Sequence, residues 1–81
     1  NINFKIDIYG ADSVLKDATD KVKKLGYTDV NTSAAKEGTE QSVIEYNKED
    51  YFIALRIAKE LGITDMIENN DLVNRIGVTI K

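Results

Sequence analysis

The chain has 81 residues, a formal net charge of −3, 42% hydrophobic and 31% charged residues, and neither histidine nor cysteine. A chain of this length buries roughly 60–65% of its unfolded surface, enough for one core, so residues 1–81 read as a single domain, expected to come from a larger protein. The missing side chains exclude disulfides, thiolate nucleophiles, histidine bases and the usual zinc ligand sets, and the negative charge opposes nucleic acid and anionic membrane surfaces as partners.

No apolar run approaches the roughly 18–20 residues that would cross a bilayer. The opening NINFKIDIY alternates instead: Ile2, Phe4, Ile6 and Ile8 are apolar and Asn3, Lys5 and Asp7 polar, the period of a strand with one buried face. After Gly10 and Ala11, Asp12 or Ser13 offers a cap for a helix over Ser13–Leu25, whose stripe is Val14, Leu15, Ala18, Val22 and Leu25. Gly26 stands where a left-handed C-cap is wanted. Acids crowd the first half of this helix and lysines the last, complementing its dipole. Asp17 with Lys21 and Asp20 with Lys24 have the spacing of surface ion pairs.

Tyr27–Thr32 reads as a second strand, SAAKEGTEQ as a polar loop, and SVIEY over Ser42–Tyr46 as a third strand. Asn47 caps a second helix through Leu61, with Asp50 at the capping-box position and Ala54, Ile57, Ala58 and Leu61 facing inward. Gly62 ends it, Asp65–Glu68 forms a short strand, and RIGVTIK a last one after the turn at Asn69–Asp71. The core expected from these periodicities is Phe4, Ile6, Ile8, Ala18, Val22, Leu25, Ala54, Ala58, Leu61, Ile76, Val78 and Ile80.

Leu25–Val30, LGYTDV, returns thirty-six positions later as LGITDM, and the same offset places Ala18 on Ala54 and Val22 on Ala58. Each copy has the order strand, helix, strand. One such unit cannot bury both sides of its helix and sheet, so two sharing a sheet make the smallest sensible core. The expected fold is therefore α+β: a two-layer sandwich of two helices on one face of a four- or five-stranded, mainly antiparallel sheet. Ferredoxin-like order is the first choice, because two right-handed βαβ units joined by a hairpin interleave.

The chemistry-bearing motifs are few. ENND, Glu68–Asp71, lacks the alternating oxygens and distal glutamate of a calcium loop, and reads as a solvated turn. Asn31-Thr32-Ser33 matches a glycosylation triplet of a kind common by chance. No acid pair has an apolar pocket, and no glycine-rich phosphate loop occurs, so neither catalytic residues, metal ligands nor a cofactor site are expected. The open sheet face would carry Lys5, Asp7, Tyr9, Glu45, Arg75, Gly77 and Thr79, with a single aromatic, unlike the stacking platforms of RNA-recognition modules. Lys5, Asp7, Tyr9, Arg75 and Thr79 are the candidate contacts there. On the second helix Phe52 and Ile53 fall toward the flank or outside of the stripe with Arg56 between them on the helical wheel, either a candidate partner surface or a patch covered by the chain's own last strand or 33–41 loop.

IDIYGADS, the helix end KKLGYTDV, VIEYNKEDYFIALRIAKELGI and the final RIGVTIK together resemble the LytR C-terminal domain family, over nearly the whole chain. That family typically has Asn-Gly-Thr where this chain has Tyr9-Gly10-Ala11, so no role of its Asn or Thr carries over. The resemblance implies a non-catalytic accessory domain of LytR-CpsA-Psr cell-envelope proteins, on the extracytoplasmic side, with a protein or cell-wall polymer as partner. The phosphotransferase activity of those proteins belongs to another domain. The alternative is a glycan-binding module similar to the SPOR domain, or a small-molecule regulatory domain of the same topology.

Overall fold

The computed structural model describes residues 4–81, so the expected start of the first strand at Ile2 lies outside them. The elements are β1 (Lys5–Tyr9), α1 (Asp12–Lys24), β2 (Asp29–Ser33), β3 (Val43–Tyr46), α2 (Tyr51–Leu61), β4 (Met66–Glu68) and β5 (Arg75–Thr79). The expected α+β sandwich is found: α1 and α2 lie together on one face of a five-stranded sheet and close one core. Each half of the repeat is a parallel βαβ unit, β1-α1-β2 and β3-α2-β4.

Sheet order is β2-β1-β5-β3-β4, which corrects the finer expectation. β1 runs parallel to β2 and β5, β3 runs parallel to β4, and only β3 and β5 are antiparallel. The sheet is thus mixed and mostly parallel, and the βαβ units stand side by side instead of interleaving in ferredoxin-like order. The cause is β5, which belongs to neither copy. It fills the central slot beside β1 that interleaving would give to β3, so β2 stays at an edge and residues 34–42 must carry the chain around to β3.

Ile76 and Val78 of β5 lie between Ile6 and Ile8 of β1 and Ile44 of β3, all without exposed surface. Ala18 and Val22 of α1 and Ala54, Ile57 and Ala58 of α2 complete the layer above them. Small alanines let both helix backbones approach the sheet, where dense packing of large branched side chains excludes water. Four expected core residues, Phe4, Leu25, Leu61 and Ile80, are only partly buried and form a rim. Their places are taken by Ile44, Ile57 and Ile63.

The helix ends explain that exchange. Gly62, at φ 70°, closes α2 with its own N–H on the Lys59 carbonyl and the Ile63 N–H on the Ala58 carbonyl. This Schellman arrangement turns the next residue back under the helix, and Ile63 is buried against the core. α1 closes more tightly, Leu25 N–H to Val22 and Gly26 N–H to Lys23, and its counterpart Tyr27 stays at the rim against Phe4, ring centroids 6.2 Å apart. At the other end neither Asp12 nor Ser13 caps α1. Ala11 is the cap residue, without a side-chain bond, and Asp12 acts only as a charge in the first turn.

Asn47 does cap, through its Oδ1 on the Glu49 N–H at 2.9 Å, but what it starts is a 3-10 turn at Lys48–Asp50 that feeds α2 at Tyr51. Lys21 pairs with Asp17 as expected, whereas Asp20 pairs with Lys16, at 2.8 Å, and not with Lys24. Lys16 and Lys24 are each four positions from Asp20, and exposed pairs of either kind contribute so little that local rotamers decide. Gly10 sits close to its neighbours: a Cβ there would lie 3.0 Å from Val14 Cγ2 and 3.4 Å from Ile80 Cβ, so a larger residue needs those side chains to give by a few tenths of an ångström.

Candidate functional site

Two surfaces collect the side chains singled out from the sequence, on opposite sides of the sheet. The first lies where β3 enters α2. Alternation along β3 turns Tyr46 to the helix side with Ile44, and the 3-10 turn then brings Tyr51 edge-on to it at a centroid distance of 5.6 Å. Phe52 stands edge-on to Tyr51 at 5.4 Å and is 77% exposed. Arg56, one turn further, is exposed beside it. Ile53 is different: it packs against the core and belongs to the stripe that continues at Ile57, one turn on. The outward reading of Ile53 is therefore corrected: the buried face of α2 is Ala54, Ile57 and Ala58, and Ile53, one turn before Ile57, lies on the edge of that face, partly buried against the core.

The second surface is the sheet face away from the helices. Odd-numbered residues of β1 and β5 point there, as the alternation requires. Arg75 Nε lies 2.8 Å from Asp7 Oδ2, yet its N–H is not aimed at that oxygen, so the contact is a charge pair and not a directed hydrogen bond. Lys5 is exposed at the far end of β1. Tyr9 is covered by Lys36, whose ammonium sits 4.2 Å from the ring centroid. Thr79, expected among the accessible contacts, is 6% exposed, since the strand-connecting segment 34–42 lies over it.

That segment and the sheet enclose two adjoining grooves, of about 420 and 230 Å³, which share Lys36 and Glu45. The smaller is floored by Gly77, whose missing side chain leaves only Glu45 Cβ nearby, at 3.8 Å from a built Cβ. Asn69 donates to Glu45 Oε1 at 3.1 Å and closes one end. Lys36 and Asn69 had no sequence signal, because both sit in polar turns and reach the groove only through tertiary contact. Tyr46 and Tyr51 were legible as aromatics, but not as a row with Phe52. No family model, curated protein or solved structure matches the chain.

Proposed function

We propose that this domain is a non-catalytic accessory module of a bacterial cell-envelope protein of LytR-CpsA-Psr type, acting on the extracytoplasmic side through contact with a protein partner. The observation that carries the reading is the row Tyr46, Tyr51 and Phe52 with Arg56 alongside, an aromatic and arginine patch of the composition that dominates binding energy at protein interfaces. The family resemblance supplies the setting. On the opposite face Asp7 is already paired with Arg75 and Glu45 with Asn69, so a protein partner gains less there than at the exposed aromatic row.

The test is a chemical-shift titration of the labelled domain with the catalytic domain of a LytR-CpsA-Psr protein, and separately with peptidoglycan fragments. The proposal expects shifts at Tyr51, Phe52 and Arg56 with the protein, abolished by Phe52→Ser while the melting temperature stays within about 3 °C of the parent. A collapse in stability of that variant, or a failure of the protein partner to shift these residues, refutes it. Shifts confined to the open face on adding peptidoglycan fragments support the glycan-binding alternative instead.

A further inference from the structure

We propose that the groove between segment 34–42 and the open sheet face is a binding site for a basic peptide side chain, ammonium or guanidinium, and that Lys36 is its built-in occupant. The proposal concerns the face opposite Phe52 and does not depend on the accessory-module reading. It starts from what Lys36 does. Its ammonium lies over the Tyr9 ring at 4.2 Å and, among the described residues, forms no ion pair, although the two grooves it borders hold Asp7, Glu37, Glu40 and Glu45. The π face is thus what it contacts, with carboxylates around it. An aromatic face ringed by acids is the chemistry that recognises organic cations.

The surroundings are formed for such a guest. Gly77 leaves the floor open between Tyr9 and Glu45, and Ile67, half exposed on β4, gives an apolar wall against which the methylene stem of a lysine or arginine can lie. Four carboxylates face two cations across the grooves, and one of those cations, Arg75, is committed to Asp7. When Lys36 swings out, the excess of negative charge grows, so an incoming cation restores the balance that Lys36 supplied. Lys36 lies in the segment joining β2 to β3 and is solvent-exposed, so its departure disturbs no core contact. A resident that occupies the site for part of the time lowers the apparent affinity for a ligand by that fraction. For a surface cation on an aromatic ring the expected effect is about two- to fivefold.

The experiment is a titration of the labelled domain with N-acetyl-tetralysine amide, with N-acetyl-tetraglutamate as control, followed by amide shifts. The expected result is saturable shifts at Tyr9, Lys36, Glu45 and Gly77 with the lysine peptide and none with the control. Lys36→Ala should bind the lysine peptide about two- to fivefold more tightly. Tyr9→Ala should lose the saturable shifts. Gly77→Thr, which fills the groove floor with a residue favoured in strands, is the second variant, and should lose binding while keeping the parent spectrum elsewhere. Shifts of equal size along the acids of α1, undiminished by Gly77→Thr, would show diffuse charge attraction and overturn the site. Unchanged or weaker binding by Lys36→Ala overturns the role of Lys36. Phe52→Ser should leave this titration unaltered, which separates its outcome from that of the accessory-module test.

Discussion

Truncating Ile57 and Leu61, one turn apart on α2, tests how the core is divided between buried layer and rim. Ile57 has no exposed surface and is enclosed by the sheet and α1, whereas Leu61 is only partly buried. Ile57→Ala removes the transfer energy of the lost carbons and leaves a cavity that the surrounding strands are poorly placed to fill. The cost should fall at about 3–4 kcal/mol, with alanine's better helix propensity returning a few tenths. For a domain of this size, total stability is about 4–12 kcal/mol, so the melting temperature should drop by roughly 12–30 °C. Leu61→Ala loses only part of a side chain's burial and should cost about 1–2 kcal/mol. Urea denaturation followed by far-ultraviolet circular dichroism measures both, and an unchanged slope against urea confirms that the folded and unfolded states are otherwise the same. Equal costs at the two positions, or a larger one at Leu61, would refute this division of the core.

Asn47 caps the turn into α2 through Oδ1 and also donates Nδ2 to the Leu72 carbonyl at 3.0 Å, tying the helix start to the β4–β5 turn. Asn47→Ala should cost about 1–2 kcal/mol by the same urea assay, while Asn47→Asp should keep the cap and lose what Nδ2 donates, to the Leu72 carbonyl and, at 3.5 Å, to that of Asn70. Burial, and then the neighbouring charge of Glu49, raises the Asp50 carboxyl above its ordinary value. The folded state therefore holds this proton more tightly than the unfolded one, and the group's contribution to stability is largest at low pH and is lost as pH rises through the raised value. Asp50→Asn should flatten the stability profile in that window, and a steeper profile would contradict the sign.

Much of this was legible in the sequence because it is local. Period-two alternation marks β1 and β5, the apolar stripes mark both helices, and Gly62 stops α2 because a left-handed residue is needed there, all without reference to distant residues. The thirty-six-residue repeat likewise announced two βαβ units before any strand was paired. Strand order was not local. Whether β3 or β5 lies beside β1 depends on which strand best fills the centre of the sheet, and RIGVT does so by placing Ile76 and Val78 between the two units. The same holds for the groove: Lys36 reads as a loop lysine and Tyr9 as the end of a strand until the crossing from β2 to β3 carries one over the other. Periodicity tells a side chain which face of its own element it occupies, but only the packing of all five strands decides what lies opposite, because that choice compares whole-sheet arrangements whose local signals are identical.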